Sequence, residues 1–165
     1  MKASIILKMN SLSDEQLIDQ LSEAAKAGVE IKLIIRGIFC MLTESSKFKV
    51  QPVAISIVDQ YLEHSRVLIF HNNGKEKVYL SSADWMIRNL DHRIEAAVEI
   101  TNKAIQEELK ECINIQLKDN VKARILDNNL LNAYVKRKGK TVRSQVEIYN
   151  FLHQKILKQL ETGRH

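Results

Sequence analysis

The stretch Tyr79–Arg93 reads YLSSADWMIRNLDHR, and a shorter stretch before it, Tyr61–Arg66, reads YLEHSR. Between them, the NNG sequence at Asn72–Gly74 predicts a hairpin turn. That turn joins a predicted strand at Arg66–Phe70 to a returning strand at Val78–Leu80. The polar residues of both stretches therefore fall at the same end of a predicted hairpin.

The segment before this hairpin predicts a strand, a helix and a second strand. Ala3–Met9 is apolar and rich in β-forming residues, which predicts a buried strand. Ser13 is the predicted N-cap of the helix, with Gln16 completing a capping box, and Gly28 ends the helix. Val29–Arg36 (VEIKLIIR) is the second strand. A βαβ unit of this kind predicts a parallel pair of strands with a right-handed crossover.

The rest of the chain predicts further helices and strands without an internal repeat or a domain boundary. Helical spacing predicts helices at Val53–Leu62, Thr101–Leu117 and Val146–Leu160, and apolar runs predict strands at Arg93–Ile100 and Val121–Leu126. We therefore predict one domain over residues 1–165, with an α/β fold in which a mixed β-sheet is flanked by helices.

The composition is that of a soluble globular protein, with 45% hydrophobic and 27% charged residues. The opening MKASIILKMN is too short an apolar run for a signal peptide, and no segment approaches the roughly 18 apolar residues of a membrane span. Cys40 and Cys112 lack metal-ligand spacing, so we expect reduced, buried thiols. These features predict a cytoplasmic protein, with peripheral membrane association left open.

The charge balance favours an anionic partner. The formal net charge is +5 and the sequence pI is about 9.2, which suits a nucleic acid, a nucleotide, polyphosphate or an acidic membrane surface. Lys136–Arg143 (KRKGKTVR) is a dense basic run. An ordinary solvated basic surface is the alternative interpretation of the same charges.

A group of polar residues near the predicted strand ends suits the binding of phosphate. Arg36 ends a strand of the parallel pair, where ligands gather in open α/β sheets. His64 and Arg66 are two positions apart, which predicts a shared strand face, and Ser81–Ser82 follow the neighbouring strand. Alternatively, Arg36 solvates a strand end, and His64 is a surface histidine hydrogen-bonded to Glu63.

The histidine-containing motif resembles one half of the active site of the phospholipase D superfamily. The shared pattern is H-x-[KR] on a strand, followed by a strand that ends in an S-A-x-W loop; here these are His64–Arg66 and Ser82–Trp85. In that superfamily two half-sites face each other, and one histidine attacks phosphorus while the other protonates the leaving oxygen. The resemblance implies a phospholipase D-like domain that carries one half-site.

A second resemblance covers nearly the whole chain. The strings L-I-x-R-G-I-x-C (Leu33–Cys40), L-E-H-S-R (Leu62–Arg66) and S-S-A-D-W-M (Ser81–Met86) are similar to the final domain of the bacterial polyphosphate kinases. The similarity runs from about Lys2 to Leu152, and the segment Thr43–Pro52 fits it poorly. The chain is identified as a C-terminal fragment of a member of this family.

The resemblance implies reversible transfer of the γ-phosphate of ATP to inorganic polyphosphate. Arg36 then contacts the nucleotide phosphates and His64 is the catalytic histidine near the transferred phosphate, while Arg66, Arg88 and Arg93 are weaker candidates for lining a polyanion path. The histidine that is phosphorylated and the arginines that hold Mg²⁺ lie in the preceding domain of these enzymes, so no metal ligand is expected in this chain.

The same resemblance implies the partners of the protein. These are ATP or ADP, inorganic polyphosphate and the preceding domains of the same enzyme, with a homo-oligomer expected for the full-length protein and no nucleic acid expected. The isolated fragment should be inactive because its partner half-site is missing.

Two other functions stay open at this point. A phospholipase D-type phosphodiesterase arises if two copies of the half-site dimerise and place a symmetric pair of His64 side chains at the interface. A non-catalytic polyanion-binding module that uses Lys136–Arg143 is the other, and steep salt dependence would distinguish it.

Overall fold

The computed structural model describes residues 3–162, without the side chain of Thr162. The strands are β1 (Ser4–Met9), β2 (Glu30–Ile35), β3 (Val53–Ile57), β4 (Arg66–Phe70), β5 (Lys77–Ser81), β6 (Ala97–Glu99) and β7 (Ala123–Ile125). The helices are α1 (Glu15–Ala27), α2 (Ile87–Leu90), α3 (Lys103–Leu117) and α4 (Ser144–Thr162). Within residues 3–162, no helix is both long enough and apolar enough to cross a membrane.

All seven strands form one mixed sheet in the order β6-β5-β4-β1-β2-β3-β7. The neighbours β1 and β2 are parallel, as are β2 and β3, whereas β4, β5 and β6 run antiparallel to their neighbours and β7 runs antiparallel to β3. The predicted parallel pair is therefore confirmed. The predicted hairpin is also confirmed, because Arg66 pairs with Ser81 and Phe70 pairs with Lys77 across the Asn72–Gly74 turn.

Helices pack against both faces of the sheet. On one face, Leu21 and Ala25 of α1 join a buried cluster with Leu7, Leu33 and Ile35 of the central strands. On the other face lies a second cluster, which contains Ile113 of α3 and strand residues Ile34, Ile55, Ile57, Val67, Ile69 and Val78. Alternate residues of each central strand thus enter opposite clusters, which is the pattern of a sheet covered on both sides. The predicted α/β fold is confirmed.

The predicted C-terminal end of α1 is confirmed, whereas its predicted N-cap is wrong. The N-cap is Asp14 rather than Ser13, because the Asp14 carboxylate accepts the backbone N–H of Leu17 at 3.0 Å. The Ser13 N–H instead donates to the carbonyl of Trp85 at 2.8 Å. At the other end, Gly28 ends the helix as predicted, with a φ of 98° in the left-handed region that favours glycine.

The helix predicted at Val53–Leu62 is wrong, because Val53–Ile57 forms strand β3. Ala54, Ile55 and Ile57 are buried between β2 and β7, whereas Leu62, which the helical spacing assigned to a buried face, is 74% exposed. A short apolar run fits either structure, and its β-branched residues favour the strand. The chain then continues as an irregular segment up to β4.

The apolar strand predicted at Arg93–Ile100 is much shorter, since β6 comprises only Ala97–Glu99 and all three residues are exposed. The strand lies at the edge of the sheet and pairs with β5 alone. An edge strand buries less apolar surface than a central strand, and Ile94 just before it is fully exposed.

The expected burial of both thiols is also wrong, because Cys40 is exposed and Cys112 is half-buried.

Candidate functional site

One edge of the sheet gathers the predicted site residues. At this edge β1 ends at Met9, β2 ends at Ile35 and β5 ends at Ser81, while the antiparallel strand β4 begins there at Arg66. Arg36 follows β2 directly and therefore lies at the same edge. Carboxyl ends of parallel strands are where α/β sheets hold ligands, so this is the edge at which we place the candidate site.

Arg36 is oriented by one amide oxygen. Its Nε and Nη2 atoms both donate to Oδ1 of Asn10, at 3.0 and 2.6 Å. Asn10 follows the adjacent parallel strand β1, so the contact joins two strand ends. A guanidinium has five N–H groups, and the N–H groups that do not point at Asn10 can donate to phosphate oxygens.

Arg66 forms a bidentate ion pair with a buried carboxylate. Its Nε and Nη2 donate to the two oxygens of Asp84 at 3.2 and 3.0 Å, and the backbone N–H groups of Asn10 and Ser11 donate to Asp84 Oδ1. Burial alone would raise the pKa of Asp84, but these hydrogen bonds outweigh it and the pKa is lowered. Asp84 thus orients an arginine.

His64 lies in the irregular segment before β4, two residues ahead of Arg66, rather than on the strand. The prediction that His64 and Arg66 share a strand face is therefore wrong, because only Arg66 belongs to β4. Its side chain is exposed, and within the described part of the chain its imidazole makes no hydrogen bond, while its carbonyl accepts one from Arg66 Nη1 at 3.0 Å. The neighbouring Glu63 pairs with Lys8, Gln116 and Gln145 instead of with His64. The predicted surface pair of His64 with Glu63 is absent from the described residues.

The loop after β5 is closed by the Ser82 hydroxyl, the Asn89 amide and the Glu95 carboxylate. Ser82 Oγ donates to Glu95 and accepts the N–H of Ala96 at 3.0 Å, and Asn89 donates to the other oxygen of Glu95 at 2.6 Å. The pKa of Glu95 is lowered by the hydrogen bonds from Ser82 and Asn89, with a smaller effect from the nearby charges of Arg93 and Arg66.

The remaining arginine candidates are exposed. Arg93 lies near Glu95 and hence near this loop, and Arg88 belongs to the short helix α2. Both stay predictions as lining for a polyanion path, whereas Arg66 is already engaged by Asp84 and by the carbonyl of His64.

Much of the basic run Lys136–Arg143 makes contacts within the protein. Arg143 forms a bidentate pair with Asp59 at 2.8 and 2.7 Å, and Arg137 donates to the carbonyl of Leu117 at 2.6 Å. Lys140 pairs with Glu147 at 3.3 Å. Lys136 and Lys138 are exposed. These contacts join the run to the end of α3, to the segment after β3 and to α4, and they leave less of its charge for a polyanion.

The sequence did not reveal three features near the site: the role of Asn10, the role of Lys8, and Glu63 as the acceptor for Lys8. Lys8 contacts Glu63 across 55 positions of the chain, and Asn10 contacts Arg36 across 26. Partners at such separations follow from strand order rather than from local pattern. One feature of the sequence could have indicated Asn10, because it directly follows a predicted parallel strand.

The chain matches one family model, described as polyphosphate kinase C-terminal domain 2, over residues 1–145. It is 45% identical to a polyphosphate kinase of Vibrio cholerae over 152 residues, and 44% identical to one of Escherichia coli K12 over 160 residues. These matches cover 92% and 96% of this chain but only 22% and 23% of the relatives. The chain therefore spans less than a quarter of the length of the curated relatives it matches.

Solved structures agree with these sequence matches. The crystal structure of a polyphosphate kinase from Porphyromonas gingivalis superposes with a TM-score of 0.90 at 44% identity, over 93% of this chain and 24% of that one. Nuc, a phospholipase D family member from Salmonella typhimurium, superposes with a TM-score of 0.57 at 19% identity, over 77% of this chain and 84% of that one, which shows a shared fold. The chain has the phospholipase D-like fold and belongs to the polyphosphate kinase C-terminal domain 2 family.

Proposed function

We propose that this chain supplies the C-terminal part of the active site of a polyphosphate kinase. The proposed reaction transfers the γ-phosphate of ATP reversibly to inorganic polyphosphate, through a phosphohistidine on a domain that precedes this one. The carrying observation is a single sheet edge at which Arg36 is oriented by Asn10 and the exposed His64 lies in an anchored loop. The family match supports the same function.

In this proposal Arg36 neutralises phosphate charge. Phosphoryl transfer depends mainly on positioning and on stabilising the charge of the transferred oxygens. The Asn10 carboxamide is a neutral partner, so it orients the guanidinium without cancelling its positive charge. Arg66 differs, because its charge is already compensated by Asp84.

His64 would handle the proton or bind the transferred phosphate. When ATP reacts, the bond from the γ-phosphorus to the oxygen of ADP breaks as the new bond to phosphorus forms. A protonated His64 donates to the leaving oxygen and becomes neutral, and in the reverse reaction the neutral imidazole accepts that proton. An exposed imidazole that is free of protein partners within the described residues suits this use.

The remaining features of the reaction are assigned to the rest of the enzyme. No cluster of three or more His, Cys, Asp or Glu side chains in residues 3–162 is arranged to hold a metal ion. We propose that the preceding domain holds Mg²⁺, that residues 1–165 form one domain, and that the full-length protein is a cytoplasmic homo-oligomer. With one half-site, the isolated chain should make no polyphosphate from ATP.

The test of the phosphate-binding role compares Arg36→Ala with Lys136→Ala in the full-length protein. Arg36→Ala should lower kcat/KM for ATP by about tenfold to a hundredfold, because a charge-assisted hydrogen bond typically contributes about 1.5–3 kcal/mol. Lys136 is exposed in the basic run and serves as the matched loss of one positive charge. Equal and small effects of the two substitutions on polyphosphate synthesis would remove Arg36 from the site.

A further inference from the structure

We propose that Lys8 is a positioning residue that fixes the loop 59–65, and with it His64, at the edge of the sheet. Lys8 lies on β1, two positions before Asn10, and its side chain is 7% exposed. The inference rests on the proposed role of His64, and it assigns a task to a buried charge that the proposed reaction itself does not use.

The Lys8 ammonium contacts the residues on both sides of His64. Its Nζ donates to Glu63 Oε2 at 2.7 Å and to Ser65 Oγ at 2.9 Å. In the sheet, Lys8 pairs with Val67 of β4, so it lies beside the point at which the loop enters that strand. A single rigid strand therefore fixes the chain immediately before and immediately after the histidine.

Glu63 extends this attachment to two helices. Its Oε2 also accepts from the side chain of Gln116 on α3, and its Oε1 accepts from Gln145 Nε2 on α4 at 3.1 Å. Gln145 additionally holds the Tyr61 backbone, donating to its carbonyl at 2.7 Å and accepting its N–H at 3.0 Å. The loop is thus attached to β1, α3 and α4 through side chains that meet at Glu63.

Arg66 adds a third attachment at His64 itself. Its Nη1 donates to the His64 carbonyl at 3.0 Å, while its other nitrogens are held by the buried Asp84. Contacts therefore hold the residue before His64, the residue after it and its own carbonyl. The His64 imidazole has no hydrogen-bond partner among the described residues. Such an arrangement fixes the backbone that carries the ring and leaves the ring nitrogens available for a substrate.

Lys8 is unsuited to binding phosphate directly. Its ammonium is buried and is already engaged by a carboxylate and a hydroxyl, so an incoming anion would have to displace both. It is equally poorly explained as a stabilising pair, because replacing buried ion pairs with apolar residues is often neutral or favourable for stability. Its neighbours on the same sheet face, such as Ile34 and Val67, are apolar. A role in positioning the loop 59–65 explains why a buried lysine lies among these apolar residues.

The experiment measures ATP-dependent polyphosphate synthesis by the full-length protein with Lys8→Met. This change keeps an unbranched side chain and removes the charge and both hydrogen bonds. We expect kcat to fall by about tenfold to a hundredfold, because small misplacements of a reacting group have effects of this size, while KM for ATP changes by less than about twofold. Lys32→Met is the matched control, since Lys32 is a half-exposed lysine on the adjacent strand β2 that pairs with Glu30.

A double-mutant cycle with His64→Gln separates positioning from a general structural effect. If Lys8 acts through His64, then Lys8→Met should change the residual rate by less than about twofold once His64 has been replaced. A fully additive loss in that background would overturn the inference, since it would show that Lys8 supports the protein in some other way.

The same cycle distinguishes failure of this inference from failure of the proposed function. Normal turnover by His64→Gln would overturn both, whereas loss of turnover by His64→Gln with normal kcat for Lys8→Met would overturn only the inference. If circular dichroism shows that Lys8→Met is unfolded, the Ser65→Ala variant tests the inference in its place. This change removes one of the two Lys8 contacts and leaves the charges of Lys8 and Glu63 intact. We expect a smaller fall in kcat for Ser65→Ala, and an unchanged kcat would overturn the inference.

Discussion

Gly37 keeps the amide that orients Arg36 in place. Its N–H donates to the carbonyl of Asn10 at 2.6 Å, and a Cβ built on Gly37 would lie 3.0 Å from that carbonyl oxygen and 3.1 Å from Ser11 Oγ. Few real Cβ atoms have contacts this close. The glycine after Arg36 is therefore explained by the close approach of two strand ends.

We predict that Gly37→Ala weakens the use of ATP by the full-length protein. The added methyl group would push Asn10 away from its present position, and Asn10 Oδ1 is the acceptor for two nitrogens of Arg36. Overpacking of this kind typically costs about 1–3 kcal/mol. Where that cost is relieved by displacing Asn10, kcat/KM for ATP should fall by about fivefold to 150-fold. Steady-state kinetics at several ATP concentrations measure the change in kcat/KM.

Gly139→Ala controls for the general effect of losing a glycine. Gly139 has a φ of +118° and meets nothing within 4 Å, so its substitution strains the backbone without pushing on Asn10. That variant should lose some stability and keep its kcat/KM. If Gly37→Ala keeps wild-type kinetics as well, the Asn10 amide does not control Arg36.

The residue types at the site could be predicted from the sequence more readily than their partners. Arg36 and His64 stand out because strand ends and a specific motif mark them. The contacts of Lys8 with Glu63 and of Asn10 with Arg36 depend on which strands become neighbours. Local spacing does not contain that information.

At the level of elements, Asp119 joins the end of α3 to β7 and to α4. Its side chain is fully buried, and Oδ1 accepts the backbone N–H groups of residues 121, 122 and 123 at 2.7–3.0 Å. Its Oδ2 accepts the N–H of Ser144, the first residue of α4, at 2.7 Å. Burial alone would raise the pKa of Asp119, but the hydrogen bonds outweigh it and the pKa is lowered.

We predict that Asp119→Asn lowers the free energy of unfolding by about 1.5–3 kcal/mol at pH 7. An asparagine amide nitrogen would meet the N–H of Ser144 or the turn as a second donor, which leaves donors unpaired. Urea unfolding monitored by circular dichroism measures the loss. Asp19→Asn, on the exposed face of α1, is the control and should change stability by less than about 0.5 kcal/mol.

The same variant should also flatten the acid dependence of stability. A carboxyl whose pKa is lower in the folded state stabilises the protein above its unfolded pKa of 3.8, and loses that contribution as pH falls through the folded value. Between pH 7 and pH 3 the wild type should therefore lose more unfolding free energy than Asp119→Asn. An equal loss in both proteins would show that Asp119 does not titrate with unfolding.

The elements themselves were predictable where periodicity was long or turns were marked. The βαβ unit and the hairpin are confirmed because Gly28 and the Asn72–Gly74 turn give clear boundaries. Strand β3 was mistaken for a helix because its apolar run is short, and the helical spacing continued into exposed residues of the following loop. Neighbouring strands, rather than local preference, decide such cases.

For the whole molecule, strand order is what turns scattered residues into a site. The antiparallel strand β4 lies next to β1, which brings the loop before β4 to the carboxyl ends of β1 and β2. His64 and Arg36 thereby lie at the same edge although 28 positions separate them in the chain. Arg137, Lys140 and Arg143 of the basic run 136–143 are engaged by Leu117, Glu147 and Asp59, so we place the function at this edge rather than on the run.

The most direct test of the central claim is polyphosphate synthesis from ATP by the full-length protein with His64→Gln. Glutamine keeps some hydrogen-bonding capacity and removes the titratable imidazole, so the rate should fall by orders of magnitude while circular dichroism shows an intact fold. His153→Gln is the matched control, since His153 is exposed on α4 and stacks on Tyr149. It should keep its activity. Near-normal synthesis by a folded His64→Gln protein would contradict the account and leave His64 as part of the scaffold.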